Sequence, residues 1–153
     1  GSPVTVLPDD PDNRVNDQGL VNVVPVRDGT VDAVGWVNPD DQNDGMGYRV
    51  RIDTGDGCTD SYGHLTPDSA PPVGTTVVAG ETIIGNMANP TNGESTGPHV
   101  HVERRDENDV AIDPGIESPF LGPSEITSGF QQVDEGLRDG RAHPGVDHIP
   151  DWW

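Results

Sequence analysis

From Leu20 onward, apolar and polar positions alternate over short stretches, and Gly, Pro, Asn and Asp separate them. "YRVRID" is the cleanest case: Tyr48, Val50 and Ile52 share one face, and Arg49, Arg51 and Asp53 share the other, which is the period of a half-buried strand. "LVNVVPV" predicts a first strand, and "GTVDAVGWV" a second after the turn Asp28-Gly29. "GDG" at 55–57 signals a hairpin into "CTDSYGHL". "TTVVAGETIIG" supplies two more short strands and "HVHVERR" another. No segment carries a sustained helical period; "GFQQVDEGLRDG" holds at most a turn of helix or a loop. The pattern predicts an all-β fold, a twisted antiparallel sheet or sheets with short strands and long loops. Residues 1–18 are rich in Pro, Asp and Asn and read as an N-terminal arm or linker, with Gly1-Ser2 as a cloning remnant. Residues 19–153 then form a single domain.

Composition sharpens this picture. With 153 residues, one domain with a real core is expected. The 20 glycines and 15 prolines are scattered, which fits many turns rather than low complexity. The formal net charge is −19, and such a surface repels phosphate backbones, so nucleic acid is excluded as a partner. No run of 18 apolar residues exists, so no membrane insertion is expected. Cys58 is the single cysteine; it forms no internal disulfide and no Cys-based zinc knuckle. The loop at 38–47 carries Asp40, Gln42, Asp44 and Gly45 in part of a calcium-loop spacing, but the position that needs Glu is Arg51, which favours a solvated acidic turn.

The histidines are His64, His99, His101, His143 and His148. In "PHVHVE", His99, His101 and Glu103 share a strand face while Val100 and Val102 point to the core. Two imidazoles on such a platform suit a metal, although an isolated HxH is more often two surface histidines. In "HPGVD", Pro144 and Gly145 argue against a helix, and an extended segment puts His143 and Asp147 on one face. An imidazole and a carboxylate from there with one imidazole of HxH make three N/O ligands, which leave a fourth position of a tetrahedral zinc open for catalysis. The other imidazole of HxH is then free to act as a base. His148 faces the opposite way from Asp147 and reads as structural or solvent-exposed.

Taken together, "SYGHL", "VGTTVVAGETIIG", "STGPHVHVE" with Asp113-Pro114, and "ITSGF…RAHPGVD" resemble the M23 peptidases, the LytM/lysostaphin-type zinc endopeptidases. The resemblance covers roughly residues 20–148. It implies an all-β fold with a groove over a Zn2+ ion, held by His143, Asp147 and His101. It implies that His99 and His64 flank the metal-bound water as general base and transition-state stabiliser, and that the substrate is a peptide of bacterial peptidoglycan, in a stem or a cross-bridge. The order of the motifs departs from the family, in which "SGF…HPGxD" precedes the "PHxHxE" strand; here it follows. Circular permutation of one domain is the favoured explanation, with a slice of a tandem array or an end-swapped dimer as the others, and a monomer is expected. Such an enzyme acts outside the cell or on the cell wall, either phage-encoded as a lysin or virion module, or bacterial and secreted. Two further readings stay open at this level: a non-catalytic peptidoglycan-binding or regulatory module on the same fold, and an acidic structural domain that binds calcium.

Overall fold

The alternation in "YRVRID" becomes β3, Tyr48–Asp53, with Tyr48, Val50 and Ile52 buried. The computed structural model describes residues 14–93, 95, 97–130 and 145–152. In chain order the strands are β1 Asn22–Val23, β2 Gly29–Trp36, β3, β4 Thr59–Gly63, β5 Thr76–Val77, β6 Gly85–Asn86, β7 Val100–Arg105, β8 Ala111–Ile112, β9 Ser124–Ser128 and β10 Gly145–Pro150. All but β1 and β6 belong to one antiparallel sheet, whose path is β5-β2-β3-β4-β7-β10-β9. β8 pairs with β7 beside Arg104 and Arg105, on the edge of β7 whose other half pairs with β10. A second, two-stranded sheet joins β1 to β6.

Register sorts the side chains of the four central strands into two faces. Val50 lies opposite Tyr62, Tyr62 opposite Val102, and Val102 opposite Val146. All four are buried, and the first three belong to the main apolar cluster with Val23, Val31, Ile52, Leu65, Ile84 and Met87. One residue along, on the other face, Gly63 lies opposite His101 and His101 opposite Asp147. A period of two thus puts the core on one side and the polar row on the other.

The apolar run 20–26 is buried as its composition predicts, with Val21, Val23 and Val24 nearly inaccessible. It does not form a long strand. Only Asn22 and Val23 pair in a ladder. Pro25 has no N–H to donate, the Val24 amide donates to the Pro119 carbonyl, and the Val26 amide donates to the Tyr62 hydroxyl. Residues 14–18 fold onto the domain: Val15 bridges Val21 and packs on the core. The Arg14 guanidinium lies 5.1 Å from the Trp152 ring centroid, so the two ends of the described chain touch. The possible helix turn in "GFQQVDEGLRDG" falls mostly at 131–140, outside the described residues.

Beneath the sheet, Asp60 is fully buried and ion-paired on both oxygens, to Arg27 at 2.9 Å and to Arg104 at 2.8 Å. Arg27 also donates to the Pro114 carbonyl at 2.6 Å, and Arg104 pairs with Asp56. This network pins the arginine end of β7 to β4 and to the chain after β8. Removing one partner of such a buried set typically costs about 3–5 kcal/mol.

Candidate active site

His101 sits in the middle of β7 and its imidazole is held from two sides. Nδ1 is 2.7 Å from Asp147 Oδ1 across the β7–β10 ladder. Nε2 is 3.0 Å from Glu103 Oε1, two residues along the same strand face, and Glu103 in turn accepts from Arg105 Nε at 2.5 Å. Burial works against a charge on His101, but the hydrogen bonds to Asp147 and Glu103 outweigh it and raise its pKa to about 9. With a pKa that high both ring nitrogens carry hydrogen at neutral pH, Nδ1–H donating to Asp147 and Nε2–H to Glu103.

Gly145 makes the ladder contact achievable. A Cβ on it would run into the Val102 carbonyl and meet the His101 ring atoms Cε1 and Nε2 at 2.7 Å. Any side chain here would push β10 off β7, which gives a physical reason for glycine in "HPGVD".

His99 precedes β7 by one residue, on the face of His101. Its Nδ1 lies 3.0 Å from the Gly97 carbonyl and 3.1 Å from Ser95 Oγ. A carbonyl only accepts, so Nδ1 carries the hydrogen and Nε2 has the lone pair. That Nε2 is 3.5 Å from Asp147 Oδ1. The side chains of His99 and Asp147 are each 16% exposed.

His64 arrives by an unusual backbone. It follows β4, where strict alternation would send its ring to the core face with Tyr62. Its φ is 61°, a left-handed conformation that costs roughly 1–2 kcal/mol. Its amide donates to the Met46 carbonyl and its carbonyl accepts from Ala88. The ring centroid then lies 4.5 Å from that of His99 and 6.2 Å from that of His101. Nδ1 donates to the Asn92 carbonyl at 2.7 Å, so Nε2 again has the lone pair. Burial, then the neighbouring His99, lowers its pKa to about 4 and keeps it neutral at pH 7.

The structure therefore brings together His64, His99, His101 and Asp147. His143 lies outside the described residues. Among the described residues no group of three His, Cys, Asp or Glu side chains could hold a metal by itself; His101 and Asp147 bring together an imidazole and a carboxylate, two side chains of the kinds that ligate zinc. His148 faces the core opposite Val100, 1% exposed, with Nδ1 2.7 Å from Ser124 Oγ. In the acidic loop at 38–47, Asn38 and Asp41 cap backbone amides two residues on and Asn38 also donates to Asp44. Asn92 is the participant that the sequence pattern hides: its carbonyl orients His64 while its side chain binds Leu65 and Tyr48 backbone.

Comparison with known proteins adds a second line of evidence. The sequence model for "Peptidase family M23" matches residues 16–114. That span contains His64, His99 and His101, and Asp147 lies beyond it. Among solved structures, a point mutant of the catalytic domain of the prophage-encoded M23 protein EnpA from Enterococcus faecalis is similar, with 27% identity and a TM-score of 0.48. The similarity covers 66% of this chain and 65% of that one. No curated protein matches.

Proposed function

The chain belongs to peptidase family M23, and from that premise we propose that it is a zinc-dependent endopeptidase that hydrolyses peptide bonds of bacterial peptidoglycan. The observation that carries the reading is the His101–Asp147 contact at 2.7 Å, flanked by two imidazoles whose Nδ1 hydrogens are tied to backbone carbonyls. His101 through Nδ1, Asp147 through Oδ1 and His143 would hold the metal. Zinc in that seat supplies Lewis-acid polarisation of a carbonyl and a water of lowered pKa.

The rest of the chemistry belongs to the chain's own groups. Glu103 holds Nε2–H of His101 and keeps Nδ1 aimed at Asp147. His99 presents Nε2 beside Asp147 and takes the proton of the attacking water; as imidazolium it returns that proton to the departing amine nitrogen. His64, neutral and with its ring centroid 4.5 Å from that of His99, flanks the other side, where its Nε2 lone pair accepts a hydrogen bond from the attacking water and helps to orient it. A module that only bound peptidoglycan would need neither of these oriented bases, which is why the catalytic reading is preferred.

The chain order supports a second proposal. The strand with Asp147 is last, yet it inserts between β7 and β9, and Arg14 meets Trp152. We propose that the domain is circularly permuted relative to the usual order of the family's motifs. We propose that the domain acts as a monomer. A peptidoglycan substrate implies action outside the cell or at the wall, as a lysin, virion module or secreted hydrolase. The test is release of muropeptide fragments, read by mass spectrometry, from protein that is stripped of metal and then reloaded with zinc.

A further inference from the structure

All eight basic residues are arginines, in a chain of net charge −19. Among the described ones, Arg27 and Arg104 share Asp60, Arg51 donates to Asp32 at 2.7 Å, and Arg105 binds Glu103. Arg14 lies against Trp152. Arg49 differs: among the described residues its half-buried guanidinium has no hydrogen-bond or ion-pair partner. Burial and then Arg51 lower its pKa, while Asp32 and Glu103 pull the other way; a guanidinium stays charged at neutral pH regardless. An arginine fork left without an acceptor in so acidic a protein has the chemistry of a waiting carboxylate site.

Its position points to which carboxylate. Gly35 lies opposite Arg49, and Val50 opposite Tyr62, so one step along the register Arg49 comes opposite Gly63. Gly63 faces His101, and His101 faces Asp147. Arg49 is therefore on the same cross-strand row and the same sheet face as the candidate active site. With strands about 4.8 Å apart, it stands about 10 Å from His101, two or three residues along an extended peptide. The intervening Gly63 adds no side chain to the row. A Cβ there would meet Met46 Cβ and Cε at 2.7 and 2.8 Å, so Met46 covers it with an apolar floor.

We propose that Arg49 is a specificity residue that receives a free carboxylate of the substrate peptide, two or three residues from the scissile bond. The assignment rests on the endopeptidase reading for the location of that bond. It favours peptides that bear a free carboxylate, at a side chain or at the C-terminus, over neutral bridges of glycine. Arg49 positions substrate and takes no part in proton transfer.

The test uses three peptides of one sequence: the free acid, its side-chain amide and its C-terminal amide. Affinity is measured on metal-stripped protein and kcat/KM on zinc-loaded protein. The expected result is at least tenfold weaker binding and lower kcat/KM for one of the two amides, which identifies the source of the carboxylate. Arg49→Gln should treat that amide and the free acid alike, Arg49→Lys should keep part of the preference, and Arg51→Gln should keep all of it. Equal treatment of the three peptides by the unmodified protein, or an undiminished preference in Arg49→Gln, overturns the assignment and leaves the endopeptidase reading intact. Binding with the predicted preference but no cleavage by zinc-loaded protein overturns the endopeptidase reading and leaves the carboxylate site intact.

Discussion

Glu103 holds Nε2 of His101 while Asp147 faces Nδ1, so His101 orientation depends on a residue that need not touch the metal itself. Glu103→Gln keeps the shape but removes the charge that supports the imidazole, and zinc affinity should fall about 10- to 100-fold; competition with a chromogenic chelator measures this, and unchanged affinity would assign Glu103 to the Arg105 pair alone. His148 makes a different prediction. Burial lowers its pKa to about 4, below the unfolded value of 6.5. The unfolded chain therefore binds more protons between these values, so the stability that neutral His148 provides is complete above pH 6.5 and is lost as pH falls toward 4. The slope is at most about 1.4 kcal/mol per pH unit. Urea unfolding of chelator-treated protein at pH 7, 6 and 5 should show the loss, and His148→Leu should flatten part of it, His64 contributing in the same direction. At this scale the HxH face was legible, because a period of two decides it. The convergence of His64 was not, since a left-handed φ of 61° leaves no trace in hydrophobic pattern.

Strand docking sets how closely the halves of the site meet. β10 reaches β7 only because Gly145 lacks a Cβ beside the His101 ring and the Val102 carbonyl. Gly145→Ala should separate the ladder locally, lower the melting temperature and reduce cleavage at least tenfold, with the loss in kcat rather than KM because the reacting groups shift; full activity at normal stability would show that β10 tolerates the displacement. Burial of the elements followed from composition more faithfully than their pairing did. The run 20–26 contributes Val21, Val23 and Val24 to the interior as expected, but Pro25 and the donors to Pro119 and Tyr62 divert its backbone from a ladder. Those acceptors are 36 or more residues away in sequence, and local alternation carries no information about them.

Across the whole molecule, the all-β class was legible from short alternating runs and turn residues, and so, through motif resemblance, was the proximity of His64, His99, His101 and Asp147. The order β4-β7-β10 was not, because nothing local tells β7 that its next neighbour lies more than 40 residues downstream. If the domain is permuted, a chain in which a short linker joins Trp153 to Arg14 and the chain is opened between β8 and β9 should fold with a similar melting temperature and retain cleavage; an unfolded product would tie the present order to stability. The central claim concerns chemistry, and one measurement bears on it most directly: zinc content per chain together with muropeptide cleavage, for the unmodified protein and for His101→Ala. The account predicts one zinc per chain, cleavage that chelation abolishes and zinc restores, and neither metal nor cleavage in folded His101→Ala. Cleavage that survives both chelation and His101→Ala would contradict it, as would stoichiometric zinc with no cleavage of any wall peptide.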